Sequence, residues 1–490
     1  MNYATPEKHG ISSADIEAYI KILEEKKLST HNLIIARDDD IVFEGYWKPF
    51  EQDFLHRMYS VTKSIVAIAV GFAEQDGLLT LDDTMEMHFP SELEGQTDEN
   101  MRKQTIRNML NMCTAKLERS WFAMKPEDRV RFYFENDKPD SRPAGTIFQY
   151  DSTGTFVLCA LVERLTGKTF VEYMKEKLFD KLGISDETYC LKCPGGHSWG
   201  DSALLMKPKD MMLIVKFLMN KGKWCGEQIL NEKFATDAIS SLVDNNALGI
   251  ENFNTYGYGY YIWRTYDNGF LFNGMGCQLF IGLPDQGIMF GYNGDNQGNV
   301  EAKNIIIDNF FNMVSRRAKD EPLPENPEAH KSLTEYAKTL ELFAVRGDAH
   351  STMQDKINGK TFKLAANPTG ITEIKLSFGE DTCQLYYVNS RGEKTIDFGM
   401  TKNVFGIFPE EGYSKDVGTK RAPGNYYKCA SSAAWVTPTK LFLRVQIIDT
   451  YFGILNMNFV FKDENTVGVF INKTAEDFLY GYQGYADGRA

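Results

Sequence analysis

A chain of 490 residues is too long for one ordinary hydrophobic core, so two domains are expected. Hydrophobic residues at 43% and charged residues at 25% fit a soluble globular protein, and a net charge of −13 leaves no basic stripe for a nucleic-acid partner. The polar opening from Met1 to Gly10 is followed by no apolar run, so neither a signal peptide nor a membrane partner is expected, and the setting is read as cytoplasmic.

Along the chain, residues 12–27 read as a helix capped by Ser13, with Ile16, Tyr19, Ile20 and Leu23 on one apolar face. Residues 32–37 and 41–46 read as a hairpin joined by three aspartates. A helix from Ser60 is stopped by Gly77, and shorter helices follow at 105–112 and 127–134. After a loop at 139–145 and an extended piece at 146–150, an apolar helix over 152–166 ends at Gly167. Further helices are expected at 170–182 and 208–221, with a glycine-containing loop at 193–201 between them. Strands are expected at 256–264, 269–283 and 287–293, then a helix at 303–314.

The simplest closure is an α+β fold: an antiparallel sheet built from both ends of residues 1–318, flanked by helices, with an all-helical region inserted between. Residues 319–332 are charged and proline-rich and read as a linker. Residues 333–490 alternate with period two between turn residues, as in a small antiparallel β-barrel or sandwich.

The eight cysteines are scattered. Cys190-x-x-Cys193 is the one close pair, and no second pair follows at zinc-site spacing, so loop thiols in a reducing compartment are expected, with no metal and no cofactor.

The chemistry is concentrated in three stretches. Ser60-Val61-Thr62-Lys63 places a hydroxyl and an amine on one helical face, one turn apart. The positive end of the helix dipole disfavours a charged ammonium there, which suits a base beside a weak nucleophile, and the Ser60 N–H can point at a developing oxyanion. Residues 64–72 carry no charge, so Lys63 lies at the rim of a buried element. Phe148-Gln149-Tyr150-Asp151-Ser152 offers a phenol ahead of a buried helix, able to relay a proton beside a lysine. Phe272-Asn273-Gly274-Met275-Gly276-Cys277-Gln278 places glycines in an expected strand, where a backbone or ligand can approach closely.

Taken in order, these stretches resemble the serine β-lactamase-like superfamily of class C β-lactamases, D-alanyl-D-alanine carboxypeptidases and related esterases and amide hydrolases. Ser60 to Lys63 is similar to the nucleophile motif, Tyr150-Asp151-Ser152 to the Tyr-x-Asn/Ser motif, and Phe272-Asn273-Gly274 to the position of Lys-Thr-Gly or His-x-Gly. Leu78 to Asp83, Thr105 to Leu110, Lys207 to Met211, Gly222 to Gln228 and Tyr256 to Tyr260 add supporting matches, and the resemblance spans residues 6–314. It implies that Ser60 forms an acyl-enzyme, that Lys63 and Tyr150 share the general-base work, and that the Ser60 and Met275 N–H groups make the oxyanion hole. It further implies that Ser152, Phe272, Asn273 and Gly274 line the substrate site. The C-terminal β-domain, residues 333–490, resembles the lipocalin-like appendages seen on some relatives.

Phe272 departs from the pattern, which offers Lys or His there. That lowers the expectation of β-lactamase or D-Ala-D-Ala peptidase activity and favours a neutral ester or amide; the expected partner is a small-molecule ester, amide or peptide-like substrate. A non-catalytic penicillin-binding or sensor-like protein is the rival reading, and no oligomeric state is implied. His56, Arg57, His197, Tyr258 and Trp263 are read as structural, with His197 the candidate to border the site.

Overall fold

The computed structural model describes residues 1–115, 126–135, 141–475 and 482–490. They form two compact units: Met1–Gly294 with Glu301–Glu341 and Asp416–Gly418, and Asp295–Val300 with Leu342–Lys415 and Thr419–Ala490.

The first unit opens with β1 (Asn2–Tyr3), helix α1 (Ser13–Glu25), β2 (Thr30–Arg37) and β3 (Asp40–Tyr46). Short strands β4 (His56–Arg57), β5 (Tyr189–Cys190) and β6 (Leu204–Met206) form a separate ribbon in the order β4-β6-β5, and β7 (Lys223–Trp224) pairs with β8 (Glu227–Gln228). Then come β9 (Trp263–Arg264), β10 (Phe270–Gly274), β11 (Gln278–Leu283) and β12 (Ile288–Gly294). The main sheet runs β1-β3-β2-β12-β11-β10-β9, so strands from both ends of the unit meet at β2 and β12, antiparallel, with Ile35 opposite Phe290. Every residue of β2 and β12 is buried, because helices cover both faces. On one face, Ile16, Tyr19, Ile20 and Leu23 of α1 and Ile306, Ile307, Phe310 and Phe311 of the helix Ala302–Met313 join Leu271, Leu279, Ile281 and Phe290 in one core. On the other lies the helix Pro208–Met219, and a Cβ added to Gly291 would meet Met212 Sδ at 2.7 Å.

Helix α2 (Val61–Gln75) is buried from Val61 to Ala73, so it is a core element with no wet face over most of its length. The helix Ser152–Thr166 is buried from Thr153 to Val162 and closes on Gly167 at φ 67°, a left-handed stop that glycine takes without strain.

Several expected elements differ. Ser12, rather than Ser13, caps α1, its Oγ accepting from the Asp15 N–H at 3.4 Å. The helix expected at 127–134 is Arg129–Phe134. The loop expected at 139–145 begins outside the described residues, and 146–150 is irregular rather than a strand. Residues 256–264 are strand only at Trp263–Arg264, because Gly257 at φ 111° and Tyr261 at φ 55° break the extended run. Residues 269–283 are a hairpin, not one strand: Gly276 and Cys277, both at φ 73°, reverse the chain between β10 and β11. In the proline-rich stretch, Pro327 starts a helix, Pro327–Ala337, capped by Asn326, whose Oδ1 accepts from Ala329 N–H at 3.1 Å. Proline is favoured at a first helical position, where its missing N–H costs nothing.

The second unit contains β13 (Thr361–Leu364), β14 (Glu373–Phe378), β15 (Thr382–Asn389), β16 (Gly392–Met400), β17 (Val404–Tyr413), β18 (Arg421–Thr437), β19 (Lys440–Ile448), β20 (Phe452–Asp463), β21 (Thr466–Ala475) and β22 (Gly484–Arg489). They run β16-β15-β14-β13-β22-β21-β20-β19-β18-β17, and a parallel pairing of Gly399 and Met400 with Ser432 and Ala433 joins β16 to β18. Nine strands thereby close into a barrel, with β17 laid along β18. Closure leaves no open edge in the ring. Of the two β architectures expected, the unit is the barrel.

Candidate active site

Ser60 stands at the head of α2, where the chain turns sharply out of Tyr59. Tyr59 is buried at φ 46°, in the left-handed region that costs a non-glycine residue on the order of 1 kcal/mol. The Arg57 guanidinium holds it there, 4.6 Å from the Tyr59 ring and 4.6 Å from that of Trp199, while its Nε donates to Ser202 O at 3.1 Å. Ser60 is the N-cap residue at φ −66°, ψ −10°. Among the described residues its side chain caps no helix N–H; its Oγ accepts from Lys63 Nζ at 2.9 Å. Lys63 is 2% exposed, and its Nζ also donates to Asp201 O at 2.6 Å. The amine is therefore fixed between a hydroxyl and a carbonyl, at the reach a proton transfer needs.

Tyr150 reaches this pair from another segment. Its ring centroid lies 5.1 Å from Lys63 Nζ, and the ring stacks on Trp263 at 5.8 Å and 19°. The next residue, Asp151, caps the Ser152–Thr166 helix, its Oδ1 accepting from Thr153 Oγ1 at 2.7 Å and Gly154 N–H at 3.1 Å. A cap on one side and an indole on the other set the tyrosine's position. Trp263 is thus more than sheet core. Ser152, half-buried, takes the first helical position two residues on.

The third stretch comes to the Ser60 turn through Gly274: a Cβ there would lie 2.7 Å from Met58 O, two residues before Ser60. Only glycine allows that approach. The neighbouring residues divide. Phe272 is fully buried and packs on Phe270 at 5.7 Å, so it presents no face to a substrate, contrary to its expected place in the lining. Asn273 turns to the Ala302–Met313 helix, where Lys303 Nζ donates to its Oδ1 at 2.6 Å. Met275 is 42% exposed at the turn.

Three functional groups escape sequence reasoning. Asp201 supplies the carbonyl that holds Lys63. Gln278, quoted with the third stretch but given no role, is buried; its Nε2 donates to Met275 O at 3.0 Å and Gly294 O at 2.7 Å, and its Oε1 accepts from Asn293 Nδ2 at 2.8 Å. Lys303 is the third. The partners of Asp201 and Lys303 lie far away in sequence, beyond any spacing rule.

The flanking histidines are structural. His197 Nδ1 pairs with Glu163 Oε2 at 2.7 Å, which takes it away from a bordering role. His56 is buried, its Nδ1 donating to Phe54 O at 3.3 Å, and burial pushes it down to about 3. Burial also raises the Asp201 carboxyl above its usual range, against the pull of Lys63 and Arg129.

An α+β unit with a serine and a buried lysine at the head of its central helix has the architecture of the β-lactamase-fold serine hydrolases. Residues 17–305, more than half of the chain, match the family model described as Beta-lactamase, and the chain belongs to that family. The 6-aminohexanoate-dimer hydrolase of Paenarthrobacter ureafaciens is 20% identical over 257 residues, which is 48% of this chain and 64% of that protein's length. Among solved structures, the octameric penicillin-binding protein homologue from Pyrococcus abyssi is similar over 97% of this chain and 99% of its own, with a TM-score of 0.50 at 15% identity. EstCE1, a hydrolase with promiscuous acyltransferase activity, is similar over 61% of this chain and 98% of its own, with a TM-score of 0.51 at 14% identity. Among the described residues no helix is long and apolar enough to cross a membrane.

Proposed function

We propose that the protein is a serine hydrolase that cleaves a small ester or amide through an acyl-enzyme on Ser60. The observation that carries this reading is the 2.9 Å contact between Lys63 Nζ and Ser60 Oγ, made by a lysine 2% exposed whose other acceptor is a neutral carbonyl. Lys63 Nζ takes the proton as Oγ attacks the acyl carbon. Tyr150 lies against the same amine and passes the proton to the departing alkoxide or amine. The N–H groups of Ser60 and Met275 receive the charge that builds on the carbonyl oxygen. Water, deprotonated by the same pair, then releases the acid and restores the hydroxyl. The names of two similar proteins, a 6-aminohexanoate-dimer hydrolase and a hydrolase with promiscuous acyltransferase activity, support this class of chemistry.

The test is labelling with a fluorophosphonate and with an activated acyl ester, read by intact mass. One adduct is expected on the wild type and none on Ser60→Ala; an adduct that persists in Ser60→Ala overturns the assignment. Acylation followed by steady turnover separates an enzyme from a sensor, which would stop after one burst.

A further inference from the structure

Lys63 is held by the Asp201 carbonyl, and that carbonyl is presented by a short turn with support from far along the chain. The turn closes on Trp199: the Ser202 and Ala203 N–H groups donate to Trp199 O at 3.1 and 3.0 Å, with Asp201 enclosed between them and Trp199. Trp199 is fully buried, and two guanidinium groups lie over its ring, Arg57 at 4.6 Å and Arg129 at 5.1 Å. Arg57 also meets the Tyr59 ring ahead of Ser60 and bonds to Ser202 O. The indole therefore stands where the segment that carries the hydroxyl meets the segment that holds the amine.

Residues Asp416–Gly418, part of the first unit, close on this indole. Lys192 N–H donates to Asp416 O, and Gly418 N–H donates to Lys192 O, each at 2.8 Å, in a parallel pairing of Lys192 with Val417. Leu191, one residue earlier, accepts the Trp199 N–H on its carbonyl at 2.7 Å. The pairing lays Gly418 on the ring so closely that a Cβ there would come to 2.2 Å from both Cε3 and Cζ3. That is far inside carbon–carbon contact, and a buried ring beneath two guanidinium groups cannot swing aside without disturbing them. The indole is what requires glycine at 418.

We infer that Asp416–Gly418 is a positioning element of the Ser60 site: by seating the Trp199 ring against Arg57 and Arg129, it fixes the Asp201 carbonyl where it keeps Lys63 on Ser60. The inference rests on the reading of Ser60 as nucleophile with Lys63 as its base.

The full chain is compared as wild type, Gly418→Ala, Trp199→Phe and the double variant, by the rate of fluorophosphonate labelling read by intact mass. Each single variant is expected to label on the order of tenfold more slowly, because a slightly misplaced base costs rate steeply. The double variant is expected to be no slower than Trp199→Phe alone, since the smaller ring leaves room for the added methyl. Labelling that still runs to completion shows that the slower protein is folded. Gly282→Ala puts comparable strain at the end of the β10–β11 hairpin away from its turn, where a Cβ would meet the Phe270 ring at 2.5 Å. It is expected to lower the melting temperature and to label at the wild-type rate. A wild-type rate in either single variant overturns the inference, and Trp199→Phe decides it alone where Gly418→Ala does not fold. A Gly418→Ala penalty repeated in full on the Trp199→Phe background, or an equal slowing in Gly282→Ala, overturns it too. Labelling of Ser60→Ala is a separate result: it removes the reading of Ser60 and is scored on that variant alone.

Discussion

At the Ser60 turn, the hydroxyl and the amine sit three residues apart on one helix and are joined by a single contact of 2.9 Å. At the β10–β11 turn one bond is local and the others come from distant residues. Its shape depends on Gln278 reaching back to Met275 O and across to Gly294 and Asn293, and on Lys303 reaching Asn273 from a distant helix. The first region draws its geometry from helical periodicity, so a change there should remove chemistry and spare the fold. The second draws it from buried polar bonds, so a change there should touch fold and chemistry together.

The sharpest contrast comes from Ser60→Ala, expected to lower kcat/KM for an ester substrate on the order of 10⁴-fold or more, while its melting temperature stays close to wild type. A variant that unfolds would break the contrast. Lys63→Met should cost about 10³-fold in kcat, as loss of a positioned base does, and Tyr150→Phe about 10²-fold, both measured with the same ester. If Tyr150→Phe leaves kcat untouched, the proton path runs through Lys63 alone.

At the other turn, Gln278→Leu leaves two carbonyls and the Asn293 amide without their partner. It should destabilise the protein by about 2–3 kcal/mol in a denaturant titration, with a smaller, roughly tenfold, fall in kcat. An inactive variant of unchanged stability would show that the amide acts on substrate rather than on the turn.

The last expected effect is one of pH. His56 is held at about 3 in the fold against 6.5 as its ordinary value, and burial likewise keeps His31 low. Between those values the unfolded chain takes up a proton that the folded chain refuses. Stability should therefore fall as pH drops below about 6.5, by at most about 1.4 kcal/mol per pH unit for each histidine. Thermal melts at neutral and mildly acidic pH check this, and a flat profile would place these rings in contact with water.

The same division explains what could be read in advance. The Ser60–Lys63 spacing, the Tyr150 stretch and the period-two pattern of the C-terminal strands are local signals, and the site pair and the barrel carry them. The hairpin inside residues 269–283 was hidden because Met275-Gly276-Cys277 looks like strand interior until positive φ at Gly276 and Cys277 turns it. Asp201 was hidden because it acts through a carbonyl, which every residue owns. Lys303 was hidden because its role is defined by Asn273, and no pattern links a helix start to a strand end thirty residues earlier.

The idle cap at α2 has a practical consequence. Since the Ser60 hydroxyl secures none of the helix's opening N–H groups, replacing it with alanine removes the proposed attacking atom and leaves its surroundings standing. Ser60→Ala can then serve as bait: incubated with a cell extract, it should hold the uncut molecule that wild type would consume, ready for mass spectrometry.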